Sequence, residues 1–485
     1  MRPYKIASGI VAVAMALGVA ACGEDLAGLN DNPNAPDDVS AELILPQAIQ
    51  SAVDLVYGRG LNMNIGSLWA QHFAQIQYPD EDRYRLRPTD IDNFWQSFYA
   101  TSLKDIQTII EKGEETGNAN HTAVGLILKS WEFGIVTDLW GDVPYSQALQ
   151  AEKENGTSEP VYDPQSEIYP ALLADLERAV GMIDPGAESF GDEDLIYGGD
   201  MAAWRRFANS LRLRLAMRLS KVDPATAAAV FAAAADGAFT SNDDNAVLVY
   251  AGSPPNEHPI FEDSYRGGRD DHAVSKTLID MLRGLSDPRI AVYADPIPAD
   301  KDGSDGWTYI GWYNGVDDPV KADSVSRIGA YWRKTASAPA VLMSYAEVLF
   351  LKAEAAARGW IPGDPAEFYA DAIRASMEQY GISSTAADAY LAQPSVAYDA
   401  ATGLERIATQ KWIALYGNGL EAYAEWRRTG YPALVPGPDN LNGNRIPRRL
   451  PYPTMEQNLN GANLKAAQDR QGDTGLNGRV WWDPS

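Results

Sequence analysis

The sequence predicts a mostly α-helical protein, built of helix pairs, with one loop-rich lobe carrying short strands. Three observations predict it. Apolar residues recur at helical spacing through much of residues 41–428. These stretches adjoin in twos across short polar turns, the pattern of antiparallel helix hairpins. Between residues 236 and 340 the period fades, and Gly, Pro, Asp and aromatic residues dominate.

The chain opens on a secretory pattern. Arg2 and Lys5 form a charged start, and an apolar core follows over residues 10–19. Such a core is too short to cross a ~30 Å hydrocarbon layer. Leu17-Gly18-Val19-Ala20-Ala21-Cys22 resembles a bacterial lipobox, and Cys22 is the only cysteine in 485 residues. The resemblance implies a signal peptide at residues 1–21, cut before Cys22, whose thiol is acylated, for instance with palmitate. Residues 22–40, rich in Gly, Pro, Asn and Asp, read as an extended lipidated tether. The remaining residues, 41–485, read as one domain.

A first helix is expected at residues 41–56, from Leu43, Leu45, Ile49, Ala52, Val53 and Val56. A first pair is expected at 92–112 and 121–139, and a second at 165–183 and 201–220. In the latter, Trp204, Phe207, Leu211 and Leu215 make one stripe. Residues 339–358 and 365–380 form a third pair, and 403–416 and 419–428 a fourth. Residues 431–485 are expected to wrap the surface. Repeated pairs suggest a tetratricopeptide-like scaffold. No strict 34-residue period is present, so an ordinary helical domain fits the same pattern.

Composition narrows function. The chain has 66 acidic and 40 basic side chains. Such a surface repels nucleic acid and anionic head groups, so membrane attachment must come from the lipid alone. No disulfide is available to the mature chain, and stability must come from its core.

Several ordered stretches resemble the SusD/RagB family of nutrient-binding outer-membrane lipoproteins, in its SusD-like 2 branch. They are Leu29-Asn30-Asp31-Asn32-Pro33-Asn34, Thr137-Asp138-Leu139-Trp140-Gly141-Asp142-Val143-Pro144-Tyr145, and residues 204–219, 342–357, 410–432 and 446–460. The resemblance implies a tetratricopeptide-like scaffold and a surface lipoprotein of the outer membrane. It further implies an oligosaccharide or peptide ligand, delivered to a TonB-dependent transporter of the SusC type. Glu24-Asp25 after Cys22 is similar to the export signal of such lipoproteins, or is part of a solvated tether.

Enzyme signals are poor. No HExxH, GxSxG or GxxxxGK[ST] occurs, and the histidines His72, His121, His258 and His272 are scattered. Gly417-Asn418-Gly419-Leu420-Glu421-Ala422 has dinucleotide-fingerprint spacing but follows a helix, so it reads as a turn between helices. Residues 300–306 alternate hard oxygen ligands, yet the twelfth position is Gly311, where an EF-hand needs Glu. A solvated acidic turn is the reading there, with a structural calcium as the alternative. Asp270, Asp271 and His272 read as a polar loop rather than a metal site. Arg205, Arg206, Arg212, Arg214 and Arg218 alternate with apolar residues, which suggests a snorkelling, salt-bridged face. No cofactor is expected.

The aromatics carry the ligand expectation. Tyr78, Tyr84, Trp307, Tyr309, Trp312, Tyr313, Tyr331 and Trp332 lie in Gly- and Asp-rich loops. Such rings can stack on a sugar or grip a peptide side chain. Arg83, Arg266 and Arg269 nearby can donate to hydroxyls or carboxylates. The competing reading has these rings filling small loop cores. A non-catalytic, nutrient-binding surface lipoprotein is therefore expected. A secreted hydrolase on a helical scaffold and a helical protein-binding adaptor are the alternatives.

Overall fold

In the computed structural model, residues 39–153, 155–300 and 305–484 are described, and the statements below concern these. Cys22, the signal segment and most of the tether lie outside them, as do the middle positions of the acidic 300–306 turn.

The first helix, α1, is Ala41–Tyr57, and a π-helical segment, Arg59–Ser67, continues it. Then come α2 (Pro88–Ser97), a π turn at Phe98–Ser102, α3 (Leu103–Thr116) and α4 (Ala119–Trp140). The α3–α4 turn is built by its residues. Gly117 ends α3 in the left-handed region (φ 73°), and Asn118 then caps α4 by accepting from His121 N at 3.1 Å. A cap of this kind contributes about 1 kcal/mol. The second expected pair is α5 (Gln165–Met182) and α6 (Met201–Arg218), and α7 (Pro224–Ala234) follows. Neighbours in sequence pack as neighbours in space, α3 on α4, α4 on α5, α5 on α6 and α6 on α7. That is the stacking of a helical-repeat solenoid.

After the loop-rich lobe, which holds α8 (Lys276–Gly284), come α9 (Tyr345–Ala357), α10 (Pro365–Glu378), α11 (Ser384–Leu391), α12 (Gly403–Ala414) and α13 (Gly419–Thr429). Residues 339–343, expected to open a helix, form a strand instead. Their short apolar run suits either state, and pairing with residues 246–249 decides for strand. Ser344 then caps α9, accepting from Glu347 N at 3.2 Å. The C-terminal stretch does more than wrap the surface. It forms α14 (Thr454–Leu459) and α15 (Gly461–Gln471), and Trp482 is buried with its indole N–H donating to Asp138 Oδ1 at 2.6 Å.

The arginines of α6 do not all snorkel. Arg214 and Arg218 are buried, pairing with Glu347 of α9 at 2.7 Å and Glu421 of α13 at 2.6 Å. Arg428 continues this interior network to Glu354 and Glu425, and Lys411 reaches Glu425 at 3.1 Å. Burial alone disfavours these charges, but the surrounding cations hold the Glu421 and Glu425 carboxyls below the usual carboxylate range. Removing one member of such a pair strands its partner and costs about 3–5 kcal/mol.

Gly66 and Gly419 explain the fingerprint-like spacing. A Cβ on Gly66 would lie 2.4 Å from the Gly419 carbonyl carbon, and one on Gly419 would lie 2.3 Å from Ser67 N. The π-helical segment and α13 therefore cross backbone to backbone, and no cofactor loop is involved.

The strands are short and tie loops to the scaffold. β1 (Phe73–Gln75) pairs antiparallel with β5 (His272–Val274), in the register Phe73 with Val274. β2 (Val143–Pro144) pairs with β3 (Tyr162–Asp163), and β4 (Ala246–Val249) with β8 (Pro339–Met343). β6 (Ile297–Pro298) pairs with β7 (Trp307–Thr308). The β1–β5 pair joins the loops 76–84 and 262–271, and Trp312 N, donating to Val274 O at 3.0 Å, ties the loop 306–316 to β5.

Candidate ligand site

The site begins with the loop after β1. Tyr78 has φ 52°, in the left-handed region, and its ring is 67% exposed. Successive turns then close the loop, with Arg83 N donating to Pro79 O at 3.0 Å and Arg85 N to Asp80 O at 2.7 Å. Buried Asp82 anchors it. Its Oδ2 accepts from Gln75 N at 3.0 Å and its Oδ1 from Asn314 Nδ2 at 2.8 Å. Burial pushes the Asp82 carboxyl up to about 7, although these donors pull the other way.

Tyr78 roofs a cleft of about 500 Å³, whose walls include Arg59, Asn64, Arg87, Phe94 and Arg269. That size is in the range of a small-molecule or sugar pocket. The Arg269 guanidinium carbon lies 5.9 Å from the Tyr78 ring centroid. Asp271 fixes this arginine, accepting from its Nε at 2.8 Å and its Nη2 at 2.6 Å, and these bonds raise the Arg269 pKa. Arg59 bridges Asp271 at 2.8 Å and Asp263 at 3.0 Å. The π-helical segment Arg59–Ser67 lines the cleft, and Arg59 ties it to Asp263 of a second π turn, Glu262–Arg266; such irregular turns are frequent at functional sites. The cleft offers an aromatic face, guanidinium donors and the carboxylates of Glu81 and Asp90, groups that can stack on and hydrogen-bond a polar ligand.

A second hollow, of about 380 Å³, holds Tyr309, Ile310, Trp312, Tyr313 and Lys276. Tyr313 is 52% exposed, with the Lys276 ammonium 5.5 Å from its ring centroid and the Trp312 ring edge-on at 6.0 Å.

The structure thus divides the expected site residues. Tyr78 and Arg269 line the first cleft, and Tyr309, Trp312 and Tyr313 the second. Trp307, 69% exposed, sits on β7 and lines neither. Arg83 is a brace, since its Nε donates to Asp439 O at 2.8 Å and its far end pairs with Asp317. Arg266 is held by Glu257 and Glu262.

Three rings are corrected. Tyr84 is 3% exposed, packed edge-on against Trp69, because the turn at Glu81 swings it inward. Trp332 is 4% exposed, placed by the short helical turn Ala330–Arg333 among Tyr293, Tyr380 and Tyr416. Tyr331, half-buried, packs edge-on to Tyr380 at 5.4 Å beside a cavity of only about 30 Å³, too small for a sugar. These three rings serve the core.

The sequence reading missed Arg59, Arg87 and Phe94 as cleft residues, since each sits in or beside a helical stretch. It also missed Tyr265, which is exposed and stacked on Phe261 at 5.2 Å. Its setting, Tyr265-Arg266-Gly267-Gly268, was the available signal.

Among the described residues no three His, Cys, Asp or Glu side chains converge as ligands. Asp270 pairs with Arg327, Asp271 with Arg59 and Arg269, and His272 Nε2 lies 2.9 Å from Asn64 Oδ1. Burial depresses the His272 pKa to about 3.

Among the described residues, a stacked-helix scaffold presents loop-borne clefts walled by aromatic and charged side chains. Comparison with known proteins gives its family. Residues 33–453 match the SusD-like 2 family, described as starch-binding and associating with the outer membrane, and the chain belongs to that family. Its fold is similar to that of a chitin-binding protein, at 32% identity and TM-score 0.81, covering 92% of this chain and all of that one. A chitin-binding SusD homologue from Flavobacterium johnsoniae is similar at 30% identity and TM-score 0.78, covering 92% of this chain and 98% of that one. A SusD homologue from Bacteroides uniformis is similar at 26% identity and TM-score 0.81, covering 93% and 100%. No curated protein matches the chain.

Proposed function

We propose that this protein is a lipid-anchored outer-membrane lipoprotein that captures a glycan in the Tyr78 cleft and passes it, unaltered, to a TonB-dependent transporter of the SusC type. The observation that carries the reading is the Tyr78 ring. A large aromatic held 67% exposed, with Arg269 fixed against it over a cleft of about 500 Å³, has no packing role to explain it. An exposed aromatic face stacks on a pyranose, and the neighbouring guanidinium donors suit its hydroxyls. Two similar structures are of chitin-binding proteins, which makes β-linked N-acetylglucosamine oligomers the first ligand to try.

Membrane attachment in this reading comes from acylated Cys22. Among the described residues no helix is long and apolar enough to cross a membrane. The test is a titration of the purified mature protein with soluble oligomers of N-acetylglucosamine and of glucose, with peptides in parallel, followed by mass spectrometry of the recovered ligand. Saturable glycan binding with intact ligand supports the proposal. Binding of peptides alone replaces the ligand class, and steady cleavage restores the hydrolase reading.

A further inference from the structure

A third hollow, of about 360 Å³, opens on the helical scaffold rather than on the loop-rich lobe. Helix α2 divides it from the Tyr78 cleft. Asp90, Ile91 and Phe94 of that helix wall the cleft, whereas Trp95, and Tyr99 in the π turn beyond, wall the hollow. Pro144, Leu149 and Pro160 close a second side, and Glu456 of α14 stands in a third. The volume suits one ring with a short side arm.

These walls are fixed by their own contacts. Trp95 is 4% exposed, edge-on to Trp140 at 5.3 Å and stacked on Tyr162 at 5.9 Å. The Tyr99 ring lies 4.8 Å from that of Trp95, and its hydroxyl donates to Pro144 O at 2.8 Å. Asn460 Nδ2 donates to Pro160 O at 2.7 Å, which ties the loop after β2 to the end of α14. At the rim, Lys104 Nζ pairs with Glu152 at 2.7 Å.

Glu456 is the odd group in this setting. It is buried, and its Oε2 accepts from the Tyr162 hydroxyl at 2.6 Å. Burial raises its pKa, although hydrogen bonds from Tyr162, Asn460 and Trp95 pull the other way. The interior carboxylates of Glu354, Glu421 and Glu425 each meet an arginine or lysine. Among the described residues Glu456 meets none, and the lysine of the hollow is taken by Glu152. A desolvated carboxylate is costly until a cation reaches it. Here the fold supplies no cation, and the hollow leaves an open path for one.

We propose that this hollow binds a small organic amine, whose ammonium group meets the Glu456 carboxylate while its apolar body lies against Trp95, Tyr99 and Leu149. Aromatic walls favour a cation over a neutral group of the same shape. The chain carries 66 acidic and 40 basic side chains, so its field draws cations inward. The hollow shares no lining residue with the Tyr78 cleft, so the inference stands or falls apart from the glycan reading.

The test is a calorimetric titration of the purified mature protein with three probes of similar shape, namely phenethylamine, phenethyl alcohol and phenylacetate. Wild type, Glu456→Gln and Ala100→Trp are compared, with thermal melts on each. Glutamine keeps the size of Glu456 and an oxygen for the Tyr162 hydroxyl, and Ala100 is an exposed wall residue whose enlargement fills the hollow. Wild type should bind phenethylamine saturably, about tenfold more tightly than the alcohol, with phenylacetate weakest. Glu456→Gln should weaken amine binding about tenfold and leave the alcohol unchanged. Ala100→Trp should weaken both. Absence of saturable amine binding by the wild type overturns the inference, as does equal affinity for amine and alcohol. Amine affinity retained by either variant also overturns it, and reports attraction to the acidic surface alone. Should Glu456→Gln fail to fold, the amine-to-alcohol ratio of the wild type and the loss in Ala100→Trp decide the matter.

Discussion

Asn314 Nδ2 donates a 2.8 Å hydrogen bond to Asp82 Oδ1 in the buried floor beneath two loops that carry exposed aromatic rings. The pair ties these loops to β1 and to the start of α8, because Asn314 is also bonded to Phe73 O and Ser275 Oγ. Asn314→Ala should leave several buried partners unsatisfied and destabilise the protein by about 2–4 kcal/mol. Denaturant unfolding checks the stability loss. Ligand titration at low temperature, where the variant stays folded, should show weakened binding in the Tyr78 cleft.

Much of the scaffold was legible because helical periodicity survives without tertiary context. Trp204, Phe207, Leu211 and Leu215 mark the buried stripe of α6, and Gly117-Asn118 marks a turn. The interior ion pairs were not legible. Arg214 and Arg218 read as solvent-facing, since their partners Glu347 and Glu421 lie more than a hundred residues away. The site was half legible for a similar reason. Tyr78 and Tyr84 share one loop and one composition, yet turns at Glu81 and Asp80 send one ring outward and one into the core. Trp332 failed likewise, because its aromatic partners Tyr293, Tyr380 and Tyr416 come from distant segments.

Glu132 gives a pH prediction. Its carboxyl is buried in α4 beside Ser102 Oγ, and burial raises its pKa to about 8. The folded state therefore keeps a proton that the unfolded chain releases above about pH 4.5. Stability should fall as pH rises from about 5 to 8, since the folded state binds more protons there. Glu132→Gln should reduce this slope, leaving the part that buried Asp82 contributes below about pH 7, and be more stable than wild type at pH 8, by on the order of 1–3 kcal/mol. Unfolding curves at pH 5 and pH 8 check it, and parallel pH profiles for the two proteins would count against the assignment.

Gly419→Ala should be poorly tolerated, since its Cβ would meet the backbone of Ser67 at 2.3 Å. Neither helical backbone can yield cheaply, so a loss of about 2–3 kcal/mol is expected. Gly430→Ala gives a contrast. Nothing lies within 4 Å of its Cβ, and only its φ of 80° opposes the change, so its cost should be nearer 1 kcal/mol. Thermal melts of the two variants rank them.

Cys22→Ala should release the protein from membranes without altering its melting temperature. Metabolic labelling with radioactive acyl chains should mark the wild type alone. A variant that still fractionates with membranes would place the attachment in a protein partner.

Glycan capture as proposed rests on the Tyr78 ring. Calorimetric titration of N-acetylglucosamine and glucose oligomers into wild type and Tyr78→Ala, with melts on both, tests it most directly. The wild type should bind saturably. The variant should bind about tenfold more weakly, at an unchanged melting temperature, since the ring is exposed. Equal affinity of the two proteins, or no glycan binding by the wild type, would contradict it.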